Sequence, residues 1–175
     1  MITQETVGKK DVRRFRMMGL VPYNLSPIQK GIQYGHAVVE YALAHFHDPD
    51  FQAWAKHDKT FIILDGGTTN MNFERRGTLN QHAFTLSEQG IKFAIFNEPD
   101  LGDQLTAVVF LVDDRVFDKK LWPDYETILR SYSDDNGSPP SYDEWLKAFS
   151  EDEEERNKIL FLREFLSPKN FKLAQ

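Results

Sequence analysis

The chain contains no cysteine. Disulfide frameworks, thiolate metal sites and cysteine nucleophiles are therefore excluded, and the composition suits a reducing compartment. No apolar run approaches the roughly 20 residues of a membrane span. The opening MITQETVGKKDVRR lacks the apolar core of a signal peptide, so a cytoplasmic protein with no membrane partner is expected. Neither a GxGxxG run nor a downstream Gly-Lys-Ser/Thr is present, so GGTTNMN at 66–72 reads as a connection rather than a phosphate cradle. Of five histidines, His45 and His47 are two apart at the end of a helical pattern, with no third ligand in sight. Neither a metal nor an organic cofactor is implied.

What the chain does hold is enough apolar material for a sizeable core. Of its 175 residues 41% are apolar and 13% aromatic, which points to one compact domain with an appendage. The formal net charge of −6 argues against nucleic acid at first sight, but nine acids fall within 134–155 against the single base Lys147. Elsewhere 20 basic residues face 18 acids. Lys9, Lys10, Arg13, Arg14 and Arg16 crowd together, and Arg75 and Arg76 form a second small cluster.

Arg16 to Val21 is a short apolar run closed by Pro22, Asn24 and Ser26-Pro27, as expected of a buried strand followed by a break. Ser26 suits an N-cap and Pro27 the first helical position. From there Ile28, Ile32, Gly35, Val39, Leu43 and Phe46 recur at helical spacing and predict the buried stripe. Gln29, Gln33, His36 and Glu40 line up beside it, which singles out His36.

Lys59–Leu64 predicts the second strand, 72–89 a second helix buried through Phe73, Leu79, Ala83 and Leu86, Ile91–Phe96 the third strand and Leu105–Val112 the fourth. NEPDLGDQ forms an acidic tip between the last two strands. This order implies an α/β three-layer sandwich around a small four-stranded mixed sheet: right-handed crossovers make the early pair parallel, while the short later connection allows either sense. Phe117–Tyr132 reads as a further amphipathic segment using Leu121, Trp122, Tyr125, Ile128 and Leu129. Residues 133–142 read as a linker, followed by one or two acidic helices with Ile159, Leu160, Leu162, Phe165 and Leu166 as their apolar face. The expected division is thus 1–132 and a helical extension at 133–175.

Three landmarks now stand in order: QYGHA at 33–37 after strand, turn and N-cap; FNEPDLGDQLTAV at 96–108; and the lengths between them. Together, over about residues 15–132, they resemble the type 2 peptidyl-tRNA hydrolase family, the archaeal and eukaryotic kind. The resemblance implies cleavage of the ester between peptide and tRNA, with His36, Thr106 and an acid, Glu98 or Asp100, at the catalytic centre. Where the family carries a lysine four residues before the glutamine, this chain has Gln29, with Lys30 adjacent. Lys30 is the catalytic candidate at that place, and Gln29 and Gln33 become substrate-binding candidates.

A histidine titrating near neutrality suits a general base, an acid can orient it, and a lysine or amide can stabilise an oxyanion. The basic residues Lys9, Lys10, Arg13, Arg14, Arg16, Arg75 and Arg76 would meet the tRNA backbone. The alternative is a binding module of the same fold without catalysis, holding a protein or nucleic-acid partner, with the acidic extension as a protein contact. The oligomeric state is left open between monomer and homodimer.

Overall fold

The computed structural model describes residues 13–132 and 137–174; Lys9, Lys10 and part of the expected linker lie outside them. Two compact units emerge. One gathers Arg14–Val112 with the C-terminal stretch from Leu166; the other gathers Arg13 with Asp113–Phe165. The expected division fell at residue 132, whereas contacts separate the chain at Asp113 and return its last residues to the sheet.

The first unit is an α/β fold around a four-stranded mixed sheet of order β2-β1-β4-β3, formed by β1 (Phe15–Pro22), β2 (Thr60–Gly67), β3 (Phe93–Glu98) and β4 (Gln104–Asp113). β1 runs parallel to β2, with Leu20 opposite Leu64, and β3 runs antiparallel to β4, with Ile95 opposite Val108. β1 and β4 are apolar along most of their length because they are the two central strands, covered on both faces. On one face Met17, Val21, Ala107 and Val109 pack with Tyr34, Ala37 and Tyr41 of helix α1 (Pro27–His45). On the other, helix α3 (Thr78–Glu88) sets Leu79 over Gly66 and Leu20. A Cβ on Gly66 would stand 2.8 Å from Leu79 Cδ1, so glycine permits that approach. The outer edge of β2 is covered by the C-terminal stretch, where the Asp65 N–H donates to Lys172 O at 2.9 Å and the Ala174 N–H to Ile63 O at 3.0 Å.

α1 starts where the sequence indicates, with Ser26 capping and Gln29 closing the capping box. Its buried face is not the expected one. The side chains turned inward are Lys30, Gln33, Tyr34, Ala37 and Tyr41, whereas Ile28, Ile32, Val39, Leu43 and Phe46 are exposed. Tyr34 explains the choice: its hydroxyl donates to Met17 O at 2.8 Å, and its ring occupies the space left by Gly19, where a Cβ would lie 2.1 Å from ring carbons. Burial raises the Tyr34 and Tyr41 phenols well above their ordinary pKa.

Other expectations shift less. Pro49 does not merely end a helix; capped by Asp48 it opens α2 (Pro49–Ala53), which runs into a π turn at Trp54–Asp58 with Trp54 buried. The expected helix at 72–89 is shortened, since Asn72 caps a separate 3-10 turn, Phe73–Arg75, and Phe73 is exposed. Gly77 blocks an earlier start to α3: its N–H donates to Asn70 O, and a Cβ there would stand 2.4 Å from Thr68 O.

The second unit contains α4 (Asp114–Phe117), α5 (Tyr125–Ser131), α6 (Tyr142–Phe149) and α7 (Glu153–Phe165). The segment expected at Phe117–Tyr132 is therefore broken, with Ile128 buried and Leu129 exposed. Arg115 organises the unit. Its guanidinium donates to Asp113, to Glu155 Oε1 at 2.7 Å and to Phe149 O at 2.7 Å. The Arg115 bond first, with a second donated by Ser150 Oγ, pulls Glu155 down to about 2, against the upward push of its partial burial. Arg163 donates to the backbone oxygens of Arg115 and Trp122 and to the Asp124 carboxylate.

Candidate active site

Gln33 is the hub of the site on the α1 side of the sheet. It is only 7% exposed, and both ends of its carboxamide are used. Nε2 donates to Glu98 Oε2 at the end of β3, and Oε1 accepts from Thr106 Oγ1 at 2.7 Å. Because the Glu98 carboxylate can only accept, the carboxamide N–H groups must face Glu98 and its oxygen Thr106, whose hydroxyl then donates. The amide of one helix residue thereby ties together two strands whose sequences lie 65 and 73 positions away.

The strands present these groups through a β-bulge. Phe96 pairs with Ala107, but the next pair is Asn97 with Leu105, leaving Thr106 as the extra residue of β4. In regular alternation Thr106 and Ala107 would point to opposite faces. The bulge instead lets Thr106 turn toward α1, where Ala107 also packs, and its hydroxyl reaches Gln33 with Phe96 O 3.2 Å away. Thr106 is buried, and Glu98 half-buried.

His36 stands one turn along α1 from Gln33 and is exposed. Its ring lies on Phe96, with centroids 4.5 Å apart and planes inclined by 54°. No hydrogen bond or ion pair joins it to another described residue. The imidazole is positioned by ring contact and retains both nitrogens for an incoming molecule. Glu98 answers to Gln33 rather than to His36.

The remaining candidates are dispersed. Asp100 is exposed in the 3-10 turn Pro99–Leu101, which is closed by Gly102 at φ 69° and takes no part in the cluster. Gln29 is exposed, its Oε1 accepting from the Ser26 N–H at 3.1 Å and from Ser26 Oγ at 2.9 Å. Lys30 is 7% exposed and turned into the fold. Arg13 pairs with Asp113 at 3.4 Å and Glu155 at 3.3 Å. Arg14 and Arg75 are exposed, Arg16 is half-buried, and the Arg76 guanidinium lies 5.5 Å from the Phe73 ring centroid and 5.1 Å from that of Phe84.

The bulge is the feature sequence reasoning missed. LTAVV is apolar but for Thr106, and neither glycine nor proline marks the irregularity. Among the described residues, no group of histidine and acidic side chains could hold a metal ion. No protein-family model matches the chain, nor does any curated protein.

Proposed function

We propose that the chain is a peptidyl-tRNA hydrolase-like esterase, cleaving the bond between a peptide and the terminal ribose of tRNA at the His36 edge of the Gln33–Glu98–Thr106 cluster. The observation carrying this reading is the Gln33 carboxamide. It joins Glu98 and Thr106 of the FNEPDLGDQLTAV landmark to the helix that carries QYGHA, within one helical turn of the exposed His36.

In the proposed reaction, water attacks the ester carbonyl carbon while a His36 ring nitrogen takes its proton. Collapse of the tetrahedral intermediate breaks the bond to the ribose oxygen, which recovers a proton from the imidazolium. Gln33 Nε2 carries two hydrogens, one engaged by Glu98; the other is the donor that would stabilise the oxyanion. Glu98 fixes the amide in that orientation. Arg14, Arg16 and Arg75 are the described cations assigned to the tRNA backbone.

A second reading, a binding module without turnover, is favoured by Lys30. It is the sole lysine or arginine of α1 and it is buried, while Gln29 at the family's lysine position is occupied in the helix cap. Incubation of the purified chain with peptidyl-tRNA separates the two. Release of free peptide supports the esterase. Retention of intact peptidyl-tRNA, with capture of tRNA or a protein on the immobilised chain, supports the binder.

A further inference from the structure

We propose that the outer face of α1 is a contact surface between two copies of this chain, paired antiparallel about residue 37. The proposal is independent of the esterase reading.

Ile28, Ile32, Val39, Leu43 and Phe46 are 77%, 49%, 57%, 74% and 57% exposed, and no described segment covers them. On a helical wheel all five fall within about 60° of one another, diametrically opposite Ala37 and Tyr41. No charged residue interrupts the line. Gly31 and Gly35 lie on or beside it, and a Cβ at either would meet nothing within 4 Å. The stripe runs for roughly 27 Å along the helix. Five large apolar side chains at these exposures make a patch on the order of 500 Å², near the upper end for a monomer. Two such patches, about 1,000 Å² together, reach the size at which a specific interface begins.

The spacing identifies the occupant. Positions 28, 32, 35, 39, 42 and 46 alternate steps of four and three, the repeat by which one helix seats against another. In an antiparallel pair centred on residue 37, Val39 of one copy stands opposite Gly35 of the other. Ile28 stands opposite Phe46, and Ile32 opposite Ala42 with Leu43 alongside. Every apolar residue finds an apolar or small one, with the branched Val39 set against glycine at the centre, so the surface complements itself as a two-fold contact requires. A lipid surface is the poorer occupant: an interfacial helix flanks its apolar face with Lys and Arg, whereas here one flank is Gln29, His36, Glu40 and His47 and the other Gly31, Val38 and Ala42.

The test is the solution mass of the full chain by sedimentation equilibrium over a concentration series. Wild type should approach twice the 20.4 kDa chain mass as concentration rises. The double variant Ile32→Glu/Leu43→Glu, altered only at exposed positions, should remain at the single-chain mass with an unchanged circular dichroism spectrum. A wild type monomeric throughout overturns the proposal, and so does a variant that still dimerises.

Cross-linking reads the register without depending on that variant. The natural chain has no cysteine, so Ile28→Cys and Phe46→Cys each introduce a single thiol. Oxidising a mixture of the two should give a covalent heterodimer, while neither alone cross-links. Ready homodimer formation by each variant alone would mean a parallel pair, and no cross-link in the mixture would mean a different surface; either result refutes the assignment.

Discussion

Gln33→Glu tests the hub of the site directly. The substitution keeps the shape of the side chain and the acceptor for Thr106, but replaces the N–H group facing Glu98 with a second carboxylate oxygen. A hydrogen bond to a charged partner is lost, worth about 1.5–3 kcal/mol. Two carboxylates about 3 Å apart would then repel by several kcal/mol even at an effective dielectric constant near 20, so the pair holds a shared proton instead.

Holding that proton at pH 7 costs about 1.4 kcal/mol for each unit by which the pH exceeds the ordinary carboxyl value. Glu98 is half-buried and part of the repulsion is screened, which puts the expected loss at about 2–3 kcal/mol at pH 7. The carboxyl introduced at position 33 has its folded-state pKa raised above its unfolded value. Its contribution is fully present below the unfolded value and is lost as pH rises through the folded one. Urea unfolding followed by circular dichroism should therefore place the variant close to wild type at pH 4 and well below it at pH 7. Reversing the roles in Gln33→Glu/Glu98→Gln should recover most of the loss. A variant matching wild type at both pH values would refute the hydrogen bond on which the site is built.

The two faces of α1 predict opposite sensitivities in dilute protein: Tyr41→Ala, which empties a core position, should cost about 3–5 kcal/mol in urea unfolding, and Leu43→Ala less than about 0.5 kcal/mol. The reverse order would mean that the helix is turned the other way. Arg115→Met should destabilise the helical unit by about 3 kcal/mol or more, since it strips Asp113 and Glu155 of their buried shared cation and leaves them only the longer, more exposed contacts to Arg13; an unchanged unfolding midpoint would contradict that role. In the natural chain the Glu155 pKa is depressed, so its stabilisation is present above the ordinary 4.5 and is lost as pH falls through about 2. Helical ellipticity monitored on acidification should decline across that interval, and less so in Glu155→Gln.

The two central strands were legible because strands covered on both faces require nearly continuous apolar runs, and FRMMGLV and LTAVVFLV supply them. The start of α1 was legible because Ser26 and Pro27 act locally. Its rotation was not. The regular apolar series ending in Phe46 outscores the true core face, which is built from two tyrosines, an alanine and two polar residues. What decides is tertiary: Gly19 opens a slot that only the Tyr34 ring fills. The same limit applies to the site. His36, Gln33 and Thr106 could be singled out as residues, but the bulge that turns Thr106 toward Gln33 arises from the pairing of β3 with β4. Asp100 and Glu98 are equally acidic in sequence; only the chain path through the turn at Pro99–Leu101 separates them.

The most direct measurement is peptide release from peptidyl-tRNA by the purified wild-type chain beside His36→Ala. His36 is exposed and lies with its ring on Phe96, so its truncation should leave the unfolding midpoint within about 0.5 kcal/mol of wild type. As general base it should carry about 10²- to 10⁴-fold of the rate. Release by wild type with a loss of that size in His36→Ala is the predicted result. No release by folded wild type, or equal release by both proteins, would contradict the assignment of this site to ester hydrolysis.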